Sequence, residues 1–173
     1  MPPRREDWAR LGDREELEPY LERFRIDQVD LRGLVDATSE FYEYPMCDRD
    51  PLPHWSEGRV TLLGDAAHPM YPMGSNGASQ AILDARFLAR CLDEIPDIAA
   101  ALRVYEQERM PQTAQIVQMN RTGGPEGAID VVEDLAPDGF DHIGDVISHA
   151  ELEAILKGYA TASGFAKDQV NRR

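Results

Sequence analysis

The segment from Arg59 to Ala78 constrains the fold more than any other part of this chain. Val60-Thr61-Leu62-Leu63 reads as a buried strand, and Gly64-Asp65 as its tight exit. A loop follows, with prolines at 69 and 72 and glycines at 74 and 77, and then a long amphipathic helix. A strand that empties through a glycine-bearing loop into a helix N-terminus belongs to α/β architecture. It is a place where backbone N–H groups can face a ligand. The loop carries few charges, so its ligand is gripped by main-chain groups and one carboxylate. That suits a flat, polar-edged cofactor better than a metal or a free phosphate.

Size and charge narrow the classes further. The 173 residues allow one ordinary domain with a real core, and the apolar and charged shares of 42% and 29% fit a globular protein. A net charge of -14 repels nucleic-acid backbones and anionic membrane surfaces, which excludes both as expected partners. Cys47 and Cys91 stand far apart, with no disulfide framework, so a reducing cytoplasm is the simpler expectation. The start at Met1 has no apolar core of a signal peptide, and no apolar run approaches the ~20 residues that span a bilayer.

The periodicity predicts mostly helices. Asp13 with Glu16 forms a possible capping box, with Leu17, Leu21 and Phe24 behind it and Pro19 as a kink or restart. A short helix is expected over 29–37. Phe41, Tyr42, Tyr44 and Met46 fit a short strand whose aromatic residues pack in a core, at a sheet edge because of Pro45. From Gly77, the residues Ala78, Ala81, Ile82, Ala85, Leu88, Ala89 and Leu92 share one helical face. A second helix from Ile98 is bent or restarted at Pro111 and ends at Gly123-Gly124-Pro125. A short helix around Ile129 to Leu135 and a last one capped by Ser148 with Glu151 complete the chain. One confident strand among so many helices is odd, because a buried parallel strand needs neighbours on both sides. The chain reads as part of something larger.

The polar residues of interest each have a plain alternative. Asp65 is either an acceptor for cofactor hydroxyls or a helix N-cap. Asn76-Gly77 would read as a hairpin turn, but no second strand follows. Gly74 to Ala78 can instead present N–H groups at the positive end of a helix. His68 reads as structural, since the four histidines show no ligand spacing, and no metal is expected. The acids Asp93-Glu94 and Glu106-Glu108 read as solvated helix faces. Tyr42, Tyr44, Met46 and Tyr71 are the candidates for contact with an aromatic compound. No G-x-G occurs anywhere, so pyrophosphate recognition of that kind is absent from the sequence.

Gly64-Asp65-Ala66-Ala67-His68 followed by Pro72-x-Gly74-x-x-Gly77 resembles the second flavin-binding motif of the class A flavoprotein aromatic hydroxylases, the para-hydroxybenzoate hydroxylase type. Asp48-Arg49-x-Pro51-Leu52-x-x-Trp55, Asp84-Ala85 and Tyr105-Glu106-x-x-Arg109-x-Pro111 fit the same family. The chain is most similar to its salicylate, 3-hydroxybenzoate and phenazine-carboxylate hydroxylase branch, over about residues 41–125. The resemblance implies FAD as cofactor, with Asp65 on the ribityl chain and Pro72 beside the isoalloxazine, shaping the oxygen pocket. Gly64 belongs to the cofactor-binding motif. The backbone of Gly74, Ser75, Asn76, Gly77 and Ala78 would face the N1–C2=O edge. It further implies that NADH or NADPH reduces the flavin, and that O2 forms a C4a-hydroperoxide that hydroxylates a small aromatic substrate in a water-poor pocket.

Two departures stand out. Ser79 takes a place where some relatives carry Asn, and the family's N-terminal G-x-G-x-x-G unit, which binds the ADP half of FAD, is missing with its middle motif. The expected fold class is therefore α/β, or α+β as an isolated fragment. Residues 1–55 would be the end of the substrate domain with part of its sheet. Residues 56–125 would hold the last strand of a Rossmann-like flavin domain, and 126–173 a helical tail. The expected function is the C-terminal part of an FAD-dependent aromatic monooxygenase, inactive without a separate N-terminal half. The alternative is a remnant or interaction module that no longer binds flavin.

Overall fold

The computed structural model describes residues 7–24 and 27–170, so the Met1–Glu6 start lies outside them. The described chain divides into two compact units, one ending at Met46 and one running from Cys47 onward. Among the described residues no helix is long and apolar enough to cross a membrane.

The first unit holds two short helices, α1 (Arg14–Leu21) and α2 (Leu31–Ala37). Asp13 caps α1 by accepting from the Glu15 amide, so the cap forms without the predicted reach to Glu16. Asp30 caps α2 through the Gly33 amide. Pro19 sits inside α1 without ending it. The predicted aromatic strand does not form. Only an isolated bridge between Leu11 and Tyr42 is present, flanked by hydrogen bonds from Gly12 to Phe41 and from Glu43 to Arg10. Tyr42, Tyr44 and Met46 are 51%, 64% and 60% exposed, which overturns their reading as core. A segment with a single bridged residue has no second layer to bury its side chains against.

The second unit is built on two long helices, α3 (Gly77–Glu94) and α4 (Ile98–Arg121), packed on each other. Asp97 starts α4 by accepting from the Ala100 amide at 2.7 Å. Helix α4 runs unbroken through Pro111, which lies on its exposed side, rather than restarting there. Gly123, at φ +95°, then ends it as predicted. Helices α5 (Gly127–Leu135), α6 (His149–Ala162) and α7 (Lys167–Val170) follow, and α6 carries the full Ser148–Glu151 capping box. The core gathers Trp55, Ala67, Cys91, Ala101 and Tyr105.

The predicted strand Val60–Leu63 is shorter and less buried than its sequence suggests. Only Val60–Thr61 (β2) is extended in a ladder, paired antiparallel with Ser56–Glu57 (β1) around the Gly58-Arg59 turn, where Gly58 takes φ +60°. Val60 is 68% and Leu63 40% exposed. No parallel neighbour stands beside β2 among the described residues. Helix α3 departs in the same sense. Its buried positions are Gln80, Asp84 and Cys91, while Ala78, Ile82, Ala85, Ala89 and Leu92 of the predicted apolar face are exposed. Gln80 and Asp84 meet Arg109 of α4, and of the predicted apolar face only Ala81 and Leu88 are half-buried, Leu88 against the core.

Three consecutive contacts from α4 hold the hairpin and the turn after it. Tyr105 donates its hydroxyl proton to the Leu62 carbonyl at 3.1 Å. Glu106 accepts the backbone N–H groups of Trp55 and Ser56 at 2.9 and 2.6 Å, so it is a structural acceptor and not the solvated acid expected. Arg109 donates through Nε to Asp84 at 2.8 Å, and its remaining N–H groups reach Gln80 and Gln112. Asp84, fully buried, also accepts from the Gly64 amide at 3.0 Å and from His68 Nε2 at 2.5 Å. His68 is thus structural, as expected. Burial opposes ionisation of Asp84, but the bonds from His68, Arg109 and Gly64 outweigh it and hold the carboxyl below its usual range.

A group whose folded-state pKa is depressed stabilises the fold above its unfolded pKa, near 4, and loses that contribution as pH falls toward the folded value. Asp84→Asn should therefore destabilise the chain by about 3–5 kcal/mol at neutral pH, because it leaves Arg109 buried without its carboxylate. Urea titration should show a lower midpoint with an unchanged slope. The variant should also lose part of the stability change seen between pH 5 and 2. Glu106→Ala should cost about 1–3 kcal/mol in the same titration, by leaving the Trp55 and Ser56 amides without their acceptor.

Candidate functional site

Beyond β2 the chain turns through a 3-10 segment, Gly64–Ala66, made possible by Gly64 at φ +58°. A Cβ on Gly64 would lie 3.2 Å from that of Ala81, so the turn sits directly on α3. Asp65 is the middle residue of this turn and is exposed. Its carboxylate caps no helix and makes no hydrogen bond or ion pair among the described residues, which removes the N-cap reading. Gly77 opens α3 close by. A Cβ placed there would meet nothing nearer than Asp65 Oδ1 and Met70 Cγ, both at 3.9 Å, so this glycine is not required by the chain's own packing.

The intervening loop is held by residues distant in sequence. Asn120 on α4 donates its Nδ2 to the Tyr71 carbonyl at 2.9 Å. Tyr159 on α6 lies with its hydroxyl 3.1 Å from the Met73 carbonyl and 2.7 Å from Asn120 Oδ1, and it accepts from Asn76 Nδ2 at 3.2 Å. The Gly74 N–H donates to both carboxylate oxygens of Glu126, at 2.9 and 2.8 Å. Gly74 and Ser75 take φ of +69° and +50°, and for a serine that costs on the order of 1 kcal/mol. A Cβ on Gly74 would come within 2.6 Å of the Tyr159 ring, so glycine is needed there twice over. Burial raises the Tyr159 pKa, which keeps its hydroxyl a proton donor at neutral pH.

The N-terminus of α3 has no side-chain cap. The amides of Gly77, Ala78 and Ser79 have no protein acceptor among the described residues, and an uncapped first turn favours a negative or oxygen-rich group. Asp65 and this turn lie side by side, one offering acceptors and the other donors. Of the other predicted residues, Pro72 and Ser75 are exposed on the loop and Tyr71 is half-buried. Tyr42, Tyr44 and Met46 belong to the first unit. The sequence did not point to Asn120, Glu126 or Tyr159. Their only trace was Gly74, whose need for a left-handed backbone says that something presses on the loop, but not what.

A sequence-family model described as "FAD binding domain" matches residues 27–120, more than half of the chain. A phenazine 1,6-dicarboxylic acid hydroxylase from Lysobacter antibioticus is 49% identical over 68% of this chain and 29% of its own length. The 3-hydroxybenzoate 6-hydroxylase 1 of Aquipseudomonas alcaligenes is 42% identical over 58% of this chain and 25% of its own length. The solved structure of Klebsiella pneumoniae HpxO complexed with FAD and uric acid matches with a TM-score of 0.52 and 27% identity, covering 84% of this chain and 39% of that one. CtdE in complex with FAD and its substrate shares the fold, with a TM-score of 0.60 at 21% identity over 94% of this chain and 41% of that one. The chain spans between a quarter and three-tenths of the length of these curated relatives. On its sequence and its fold, then, the chain belongs to the FAD binding domain family, and its curated relatives named here are aromatic hydroxylases.

Proposed function

We propose that this chain is the C-terminal part of an FAD-dependent monooxygenase that hydroxylates a small aromatic substrate with O2 and NADH or NADPH. The carrying observation is the free Asp65 carboxylate beside the uncapped start of α3, where a Cβ on Gly77 would meet only ordinary contacts at 3.9 Å. These residues fit a flavin. Asp65 would accept from ribityl hydroxyls, and the α3 N-terminus would face the N1–C2=O edge. The glycine would let the ring approach the backbone closely. Pro72 would border the ring on the loop's exposed side, with Gly74 to Asn76 shaping the turn and Ala78 in the first helical turn. The flavin, when bound, supplies the redox and oxygen chemistry, and the dipole of α3 would stabilise negative charge at that edge. Gly64 would serve through the turn that aims Asp65. Tyr71, half-buried on the loop, is the candidate for contact with such a substrate.

The ADP half of the cofactor would come from an N-terminal portion carrying the G-x-G-x-x-G unit that this sequence lacks. The exposed apolar stripe of α3, with Ile82 at 69% and Leu92 at 45% exposure, and the open side of Val60 support such a partner layer. Residues 1–55 would complete the substrate domain and 126–173 the helical tail. The unpaired Cys47 and Cys91 suit a cytoplasmic setting.

The test is co-expression with the N-terminal portion of the Lysobacter antibioticus relative, followed by measurement of bound FAD. The wild-type pair should retain flavin, while the chain alone should purify colourless. A wild-type pair without flavin would favour the remnant reading instead. Asp65→Ala should weaken FAD binding about 10- to 100-fold, the loss of a hydrogen bond to a charged acceptor. Gly77→Ala should weaken it as well while leaving the thermal midpoint of the chain alone nearly unchanged. Equal flavin content in these variants would sink the assignment of Asp65 and Gly77.

A further inference from the structure

We infer that Tyr159 is a positioning residue for the cofactor edge: its hydroxyl holds the Asn76 side chain away from the N-terminus of α3 and fixes the Met73–Gly74 bend, so that helix α6 keeps that N-terminus open. The inference rests on the flavin reading of this loop, and extends it to a residue of the tail that lies outside the matched family region.

The starting point is an anomaly at Asn76. Asparagine at this position is among the best N-caps, because its side-chain oxygen can accept the orphan N–H groups of the first turn. Here it makes no such bond, and its backbone is held in the helical region, at φ -100° and ψ -17°, away from the extended conformation that capping takes. Its amide nitrogen is instead directed to the Tyr159 hydroxyl at 3.2 Å, and the residue is buried at 4% exposure. Asn120 supplies the other side of the arrangement. Its Nδ2 is committed to the Tyr71 carbonyl, so its Oδ1 must be the atom facing Tyr159, as an acceptor. The Tyr159 proton is thereby directed to Asn120 or to Met73, and its lone pair is left to receive Asn76. The polarity of the cluster allows one sense only. Asn76 enters it as a donor, which commits its Nδ2 to Tyr159 while its Oδ1 makes no bond to the first turn of α3.

Glu126 sharpens the consequence. Its carboxylate takes the Gly74 N–H with both oxygens, which withdraws that group from the set available to a cofactor. The donors left for the flavin edge are those of Gly77, Ala78 and Ser79. The close fit of Gly74 under the Tyr159 ring keeps the loop at this distance from α6, so the ring and the hydroxyl act on adjacent residues.

Tyr159→Phe tests this, since it keeps the ring and removes only the hydroxyl. In the chain alone, amide exchange at Gly77 to Ser79 should slow as Asn76 turns to cap α3. Adding Asn76→Ala should abolish that slowing. In the pair with the N-terminal portion, Tyr159→Phe should raise the FAD dissociation constant about tenfold and shift the flavin absorption band, as expected when buried acceptors lose a donor. Tyr20→Phe, on exposed α1, serves as the control and should change neither. A Tyr159→Phe variant with a lower thermal midpoint but unchanged exchange and flavin spectrum would overturn the inference and leave Tyr159 a packing residue. If the wild-type pair binds no FAD, the functional proposal fails. The exchange measurement on the chain alone still decides Tyr159: unchanged rates at Gly77 to Ser79 overturn its role.

Discussion

The carboxylate of Asp84 is the point at which the second unit is tied together. A buried charge is tolerated only when its hydrogen bonds are supplied in full, and Asp84 receives three: from the turn at Gly64, from His68 and from Arg109 on α4. Two donors come from the 64–68 turn and one from α4, so one side chain sets the distance between α3, α4 and the turn that carries Asp65. The approach of Gly64 to Ala81 follows from the same bond. If the turn moved, Asp84 would lose a donor it cannot replace from water. This converts the cost of burying a charge into precision of placement for a residue that itself touches nothing.

Much of this was written in the sequence, but in residues that pattern reading discounts. Apolar periodicity located α3 and α4 correctly, because their length and caps are local properties. It chose the wrong face of α3. The buried face runs through Gln80, Asp84 and Cys91, the first two of which score as polar, while Ala78, Ile82, Ala85 and Ala89 are outside. Tyr105, Glu106 and Arg109 were noticed as a family motif, but nothing in a single sequence says that Glu106 accepts two backbone amides. The strand failed for a related reason. Val60 to Leu63 has the composition of a strand buried on both faces, yet burial is a property of neighbours, and β2 has only β1 beside it.

The two errors share one physical origin. A helix with its polar stripe inward and its apolar stripe outward is the reverse of a stable surface helix. So is a valine-leucine strand with an open edge. Both become ordinary if a further layer covers them. The sequence therefore reports the environment of the complete protein, while the geometry of this chain reports which part of that environment it provides for itself. The matched residues make up only 29% and 25% of two relatives, so those proteins have length enough for such a layer.

The loop between β2 and α3 shows the opposite balance, because Asn120, Glu126 and Tyr159, which hold it, all belong to this chain. Its glycines divide the work. Gly74 answers to the Tyr159 ring and to its own positive φ, and would be needed with or without a ligand. Gly77 answers to nothing within 3.9 Å. Sequence reading grouped the two as one motif with one purpose. Separating them ties the loop's shape to α6, and leaves Gly77, with the Asp65 carboxylate beside it, as a part held in reserve from the chain's own packing. A helix start that has an asparagine in the capping position and still goes uncapped belongs to the same reservation. The fold gives up a stabilisation of about 1 kcal/mol there, and it keeps three donors free at the end of α3.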